Sequence, residues 1–440
     1  MLVQPTRIVI VGFGGREHAL AWKLAAEPGV NTIWALPGSH AIGKEPRVKT
    51  ISRLGRVSID DGTLISSLAR GEAAELVVIG PEAPLAAGVV DQLTAEGVVA
   101  FGPTAAAARI ESSKAFCRDV AEAAGAAIAP GQVFNEPAAA QAYARELAAG
   151  GNGVVVKADG LAAGKGVTVC GDAGEAELAI ATLFDTNRQG LVVVERRLAG
   201  RETSVIAICD GVRAIALPAA RDHKRLLDGD EGPNTGGMGA YSPLPDLTDE
   251  AVDEIVGTVH LPLLAELARR GAPFRGFLYA GIMLTADGPV LLECNARLGD
   301  PEAQVILPRL AVALGPWLQA AARGALPADA PKRLPVLPGA TVGVVLAAEG
   351  YPAEPLTGAP IAGLEEAQSG GALVFHSGTG LDDAGGYRTR GGRVLTVVGR
   401  GPNLAAARAV AERAADSISW PGMQRRRDIA LRLPVGEVVA

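Results

Sequence analysis

The sequence predicts a multidomain chain of mixed α/β and α+β class. An N-terminal doubly wound parallel sheet precedes a central region of two α+β lobes with a small flap subdomain, and a C-terminal α+β domain closes the chain. Three observations carry this expectation. Apolar runs at residues 8–11, 76–79 and 98–101 each end in a glycine and alternate with helical stretches, as parallel strands with ligand loops at their ends do. Residues 154–169, VVVKADGLAAGKGVTV, read as a glycine-rich hairpin carrying cations. Beyond the proline-rich stretch 325–339, short strand-like runs and one helix form a separate module.

Composition narrows the function. A net charge of −7 and a pI near 5.5 argue against a nucleic-acid surface, which needs clustered Lys and Arg, but leave room for small anions held by local cations. Cys117, Cys170, Cys209 and Cys294 are widely spaced, with no C-x-x-C pair, so neither a disulfide framework nor a zinc site is expected. No apolar stretch reaches the ~18 residues needed to span a bilayer, and the start carries only a short apolar run. A cytoplasmic protein without membrane contact fits.

Residues 8–11 lead into Gly12-Phe13-Gly14-Gly15-Arg16-Glu17 and a helix over 17–27. The turn invites a dinucleotide reading, but Glu17 stands where close helix packing wants glycine or alanine. A phosphate met by backbone N–H groups and Arg16 fits better. Strands at 32–35, 76–79 and 98–101 follow, with a helix over 85–96 between the last two. An alanine-rich helix is expected over 104–125, containing Ser112, Ser113 and Lys114.

The hairpin brings Gly160, Gly164 and Gly166 together with Lys157 and Lys165. Its spacing fails the Walker loop: Gly160 to Gly164 encloses three residues, Gly166 replaces the hydroxyl, and a strand follows instead of a helix. A tight turn in an ordinary hairpin accounts for one or two glycines but neither lysine. A flap covering phosphates accounts for both. After a helix over 175–182, strands are expected at 191–194, ending at Glu195, at 202–209 and at 212–217. Residues 221–243 lack periodicity and contain five glycines, which predicts a long polar loop acting as a mobile active-site cover.

The sharpest chemical signal lies further on. A helix over 249–270 precedes strands at 277–284 and 290–295, a hairpin around Asp287-Gly288. Glu293, Asn295 and Arg297 occupy alternate positions, so on a strand they share a face. Oxygens from Glu293 and Asn295 suit magnesium, which takes few protein ligands and keeps places for water and phosphate oxygens. The bland alternative is a solvent-facing strand edge with a salt bridge. A helix over 307–323 closes the unit; the tail adds strands at 342–347, 372–375 and 393–398 and a helix over 403–417. His40 and His376 show no partner spacing and read as structural.

Flap lysines, a Glu/Asn pair for magnesium and a polar cover loop together imply ATP gripped between two lobes. The motifs GGREHAL (14–20), GPEAPLAAGVVD (80–91), FGPTAAAARIESSKAF (101–116), KADGLAAGKG (157–166), DHKR (222–225), GPNTGGMGAYSP (232–243), GFLYAGIM (276–283) and ARLGDPE (296–302) resemble the phosphoribosylamine–glycine ligase family of the ATP-grasp superfamily. The resemblance runs from about residue 8 to 418. It implies an N-terminal substrate-binding domain (1–104), an ATP-grasp domain (105–325, flap about 128–200) and a C-terminal domain (326–440). The implied activity is ATP-dependent joining of glycine to 5-phosphoribosylamine through glycyl phosphate, in purine synthesis, by a monomer.

Carried over by motif, Lys114, Lys157, Gly160, Gly164, Lys165, Gly166, Glu195, Leu198 and Glu202 would bind ATP, and Glu293 and Asn295 magnesium or manganese. Arg297 and Asp222 would take the carboxylate and amino group of glycine, and with Lys165 make the expected catalytic set. Gly15, Arg16, Glu17 and Glu82 would face the ribose phosphate substrate. Three departures from the family pattern stand out: Glu195-Arg196 replaces two adjacent acids, the segment between Phe184 and Leu191 is short, and Leu298 replaces an aromatic. The rival readings are another ATP-grasp ligase, such as a bicarbonate-using carboxylase, and a catalytically silent nucleotide-binding scaffold.

Overall fold

The computed structural model describes residues 2–51, 58–161, 166–186 and 190–431. At the N-terminus, strands β1 (Arg7–Gly12), β2 (Thr32–Pro37), β3 (Val48–Thr50), β4 (Leu76–Ile79) and β5 (Ala100–Phe101) form a parallel sheet of order β3-β2-β1-β4-β5. Strands β1 and β4 are buried almost throughout, which is why their sequences are continuous apolar runs. Helices α1 (Gly15–Ala25), α2 (Gly62–Gly71), α3 (Glu82–Ala86) and α4 (Val89–Ala95) intervene. The expected helix over 85–96 is thus two, broken where Gly88 takes φ +80°.

The expected helix over 104–125 is also two, α5 (Ala105–Ser112) and α6 (Lys114–Ala124). Ser113 leaves helical geometry at φ −140° and caps α6, its Oγ accepting from Phe116 N at 3.1 Å. Asp159, at the end of the flap strand, accepts from Ala115 N at 3.1 Å and from Ser113 Oγ at 3.3 Å. The break therefore ties the flap to the helix that carries Lys114.

The flap lobe is β6 (Gly131–Phe134), α7 (Pro137–Ala149), β7 (Val154–Ala158), β8 (Val167–Cys170), α8 (Ala173–Thr186) and β9 (Val192–Arg196), with antiparallel order β6-β9-β7-β8. Its core is its own: Ala140, Ala144, Val154, Val156, Ile180 and Val194 pack together apart from the main cores. Burying each larger aliphatic chain contributes roughly 2 kcal/mol, so this core stabilises the lobe from within.

Strands β10 (Arg201–Asp210) and β11 (Ala214–Ala216) begin the central sheet. Residues 221–243, expected as a loop, instead contain β12 (Arg221–Asp222), β13 (Arg225–Leu227), β14 (Glu231–Asn234) and β15 (Gly239–Ser242). The difference has a tertiary cause. β13 and β14 pair locally, but β15 pairs with residues 341–344, a register no local pattern reveals.

Helices α9 (Asp249–Ile255) and α10 (Leu261–Arg269) run through a π-helical turn at Val256–His260. Strands β16 (Arg275–Thr285) and β17 (Gly288–Asn295) form the expected hairpin and complete the sheet β11-β10-β16-β17. The expected helix over 307–323 is divided into α11 (Glu302–Ile306), a single 3-10 turn at Leu307–Arg309, and α12 (Gly315–Ala322).

In the C-terminal region, β18 (Ala340–Ala347), α13 (Leu364–Ser369), β19 (Leu373–His376), β20 (Thr379–Leu381), β21 (Tyr387–Thr389), β22 (Arg393–Gly401) and α14 (Leu404–Ser417) follow. Its main sheet has order β12-β15-β18-β22-β19, so two of its strands come from 221–242. His376 N donates to His18 Nδ1 at 2.9 Å, joining this sheet to α1. The His376 ring is itself buried, with Nδ1 3.0 Å from Thr379 Oγ1.

Candidate active site

The three regions enclose a cleft of about 980 Å³. The flap lobe supplies one wall, through Val155, Lys157, Gly160, Gly166, Glu195 and Leu198. Strands β10 and β17 supply the floor, with Glu202, Glu293 and Asn295; Arg16 and Glu82 enter from the N-terminal sheet and Arg393 from β22.

The flap wall is built on charge pairs. Lys157 Nζ sits 2.6 Å from Glu195 Oε2 and donates to Leu292 O at 2.8 Å, bridging β7, β9 and β17. A register shift in the β16–β17 pairing between Gly281 and Ile282 lies beside that carbonyl. Glu195 also pairs with Arg118 at 3.1 Å. Lys114 Nζ donates to Gly160 O at 2.8 Å, holding the start of the flap turn against α6. Burial lowers the Lys114 pKa, and Glu293 partly offsets this. Gly160 takes φ +103°, a conformation that L side chains rarely adopt. Gly164 and Lys165 lie outside the described residues. Arg196 is exposed; its backbone N donates to Pro130 O at 2.8 Å, and its side chain lines the cleft beside Arg197 and Leu198.

On the floor, Lys224 pairs with Glu202 and lies 3.6 Å from Glu293 Oε1. Burial opposes the Lys224 charge, but Glu202, Glu293 and Asp222 outweigh it and raise its pKa well above the usual value. Lys224, then Lys157 and Lys114, hold the Glu293 carboxyl down at about 2. Asn295 Oδ1 receives only a long contact, 3.5 Å from Arg297. An ionised carboxylate and an available amide oxygen at alternate strand positions fit a hard divalent cation that keeps most of its ligands as water and phosphate. Among the described residues no group of three or more His, Cys, Asp or Glu side chains stands ready for a metal.

Arg297 lies just past β17, not on it, and its guanidinium is heavily engaged. Nε donates to Glu82 at 3.2 Å, NH2 pairs with Glu111 at 2.9 Å, and NH1 donates to Leu298 O at 3.2 Å. That same carbonyl accepts from Arg16 NH1 at 3.2 Å. Leu298 itself is buried core, where it serves packing. Burial opposes the Arg297 charge, yet Glu111 and Glu82 raise its pKa further. Asp222 is pushed well above the usual carboxylate range by burial and then by Glu302. Glu302 also raises the Arg297 pKa, and all three residues line the same cleft. Tyr279 OH and Ser204 Oγ donate to Glu302 at 3.0 and 3.1 Å and fix it there.

The N-terminal turn divides its residues. Arg16 and Glu82 line the cleft, whereas Gly15 and Glu17 do not. Glu17 accepts from Gly14 N at 2.7 Å and Arg16 Nε at 2.6 Å, and its side chain fills the space that a Cβ on Gly12 or Gly80 would need. Glu17 thereby shapes the turn and aims Arg16. Glu111, Lys224, Glu302 and Arg393 complete the site but were not read as site residues from sequence. Glu111 stands three residues before Lys114 in ESSK, and Lys224 is the lysine of DHKR; the scarcity of lysine beside arginine is a mild sequence hint for Lys224. Arg393 carried no local signal.

Two lobes gripping a cleft under a glycine flap, with lysines over an ionised carboxylate, define an ATP-grasp enzyme. The descriptions that match are those of phosphoribosylglycinamide synthetase: its N domain over residues 6–111, its ATP-grasp (A) domain over 112–303 and its C domain over 341–432. The chain belongs to the phosphoribosylglycinamide synthetase family. It is 42% identical over 425 residues to phosphoribosylamine–glycine ligase of Mesorhizobium japonicum, covering 96% of this chain and 97% of that one. The crystal structure of the Thermotoga maritima phosphoribosylamine–glycine ligase matches with TM-score 0.78 and 31% identity, over 96% of this chain and 100% of that chain. The biotin carboxylase domain of Hydrogenobacter thermophilus 2-oxoglutarate carboxylase, solved with MgADP and bicarbonate, shares the fold at TM-score 0.70 and 16% identity, over 96% of this chain and 92% of that chain.

Proposed function

We propose that this chain uses ATP to ligate glycine to 5-phosphoribosylamine, giving glycinamide ribonucleotide, ADP and phosphate, a step of purine synthesis. One observation carries the reading: Glu293, ionised among Lys114, Lys157 and Lys224, lies in the same cleft as Arg297 and Asp222. A phosphoryl donor and a small amino acid can therefore meet there.

Lys114, Lys157 and the Gly160–Gly166 turn, including Gly164 and Lys165, are assigned to the ATP phosphates, Glu202 to the ribose, and Glu195 with the Leu198 backbone to the base end. Glu293 and Asn295 would hold magnesium or manganese, which when bound supplies charge neutralisation at the phosphate oxygens. Arg297 orients the glycine carboxylate and Asp222 its ammonium. A carboxylate oxygen of glycine then attacks the γ-phosphorus, the bond to ADP breaks, and glycyl phosphate forms. The amine of phosphoribosylamine, held by Arg16 on the turn shaped by Gly15 and Glu17 and by Glu82 at the start of α3, attacks the glycyl carbonyl; phosphate leaves and the nitrogen loses a proton. A closed flap excludes water from that acyl phosphate.

Among the described residues no helix is long and apolar enough to cross a membrane. We assign the working form as a cytoplasmic monomer, which size-exclusion chromatography with light scattering and cell fractionation can check. A coupled ADP assay with each substrate omitted in turn tests the reaction. ADP release should require both glycine and phosphoribosylamine; release with bicarbonate in place of glycine would overturn the assignment.

A further inference from the structure

The hairpin that follows Lys224 is held by a segment that does not itself line the cleft. Arg426 is buried to 1% exposure, and its Nε and NH2 donate to both oxygens of Asp428 at 2.7 Å each. Its NH1 reaches across to the hairpin, donating to Asp230 Oδ1 at 2.6 Å and Arg225 O at 3.2 Å. Asp428 Oδ2 in turn accepts from Gly229 N at 2.8 Å, and Arg427 N donates to Asp228 Oδ1 at 2.7 Å. Residues 426–428 thus grip the first strand and the turn of one hairpin. That turn needs gripping, because Asp230 holds φ +58°, a conformation L side chains rarely adopt.

The grip extends to the cleft. Thr235, just past β14, donates from N at 2.7 Å and from Oγ1 at 2.8 Å to Lys224 O, so the hairpin fixes the backbone from which the Lys224 side chain reaches Glu202 and Glu293. On the other side the C-terminal segment is anchored to its own domain. Arg408 of α14 donates from Nε to Ile429 O at 3.1 Å, and Ile429 is fully buried against Gly239. A Cβ on Gly239 would come within 2.8 Å of the Ile429 side chain.

We propose that residues 426–428 are a latch by which the C-terminal domain sets the position of Lys224, with Arg426 as a positioning residue for the nucleotide end of the cleft. The latch acts on a wall of the site; it touches no substrate. It rests on the ligase reading only for the identity of the ligands. Loosening it displaces Lys224 from Glu202 and Glu293, which weakens MgATP binding and leaves the Arg297 end of the cleft intact.

The test measures binding of a fluorescent MgATP analogue and the KM values of MgATP and glycine in R426Q, D230N and R427M, with thermal melts as a folding control. For R426Q an increase of about tenfold in the nucleotide Kd and in the MgATP KM is expected, with the glycine KM changed less than about twofold. D230N weakens the Arg426 link at an exposed carboxylate that also lies 3.7 Å from His223 Nδ1, and should raise both nucleotide values by about threefold. R427M keeps its backbone bond to Asp228 and should behave as the wild type. Should R426Q fail to fold, D230N decides. Unchanged nucleotide affinity in the folded variants, or equal increases in the glycine and MgATP KM values, would overturn the latch. A wild type that binds the analogue but does not consume glycine would overturn the ligase reading and leave the latch standing.

Discussion

Arg297 Nε donates to Glu82 Oε2 across 3.2 Å, so a residue just past the central sheet is tied to the first turn of α3 in the N-terminal domain. Arg297 and Arg16 offset the burial of Glu82 and lower its pKa. Arg297 and Arg16, which we assign to glycine and to the ribose phosphate substrate, are therefore joined through one carboxylate. Replacing Glu82 with Gln keeps its size but removes that charge. The glycine and phosphoribosylamine KM values should both rise by about five- to tenfold, with the MgATP KM unchanged. Steady-state kinetics with each substrate varied will check this.

Glu293 is assigned to the metal because three lysines keep it ionised. Glu293→Gln retains the shape and one oxygen but loses the charge that a divalent cation needs. Turnover should fall about 100-fold or more, the magnesium concentration for half-maximal rate should rise, and the melting profile should stay close to the wild type. Normal turnover would place the metal elsewhere.

Stability should depend on pH through two buried histidines. Burial lowers His260 to about 4 and His376 to about 3. The unfolded chain takes up these protons near pH 6.5, while the folded chain resists them. Their contribution is thus fully present above about pH 6.5 and is lost as pH falls toward 4 and 3. Between about pH 7.5 and pH 5 the histidines should pull the urea midpoint down, against the raised Asp222 carboxyl, which pulls it up. Compared with the wild type, His376→Gln should lose less stability over that pH range.

Gly15 is required by its neighbours. A Cβ there would stand 2.5 Å from Ser377 Oγ and 2.7 Å from Gln304 Nε2, and Gln304 is fully buried and bonded to Asp300 at 2.8 Å. Gly15→Ala should cost about 1–3 kcal/mol. Adding Ser377→Ala should recover part of the loss, as denaturant titration of the single and double variants will show.

These relationships mark what could be read from sequence. The strand at Leu76–Ile79 and the β16–β17 hairpin were legible because a buried strand is a continuous apolar run and a hairpin carries its own turn signal. The Glu293 and Asn295 pair was legible from strand alternation alone. The helix break at Ser113 was hidden by alanine periodicity that continues across it, although Ser-Ser before Lys114 is a capping signal. β15 was hidden because its partner lies about a hundred residues away. For the same reason Arg393, which donates to Gly236 O and Asp300 O, became a wall of the site only when three distant segments met.

The acyl phosphate step is tested most directly by isotope transfer. With ATP, phosphoribosylamine and glycine labelled with 18O in both carboxylate oxygens, each turnover should move one labelled oxygen from glycine to inorganic phosphate, read by mass spectrometry. Phosphate released without label, while glycinamide ribonucleotide forms, would contradict attack by the glycine carboxylate on ATP.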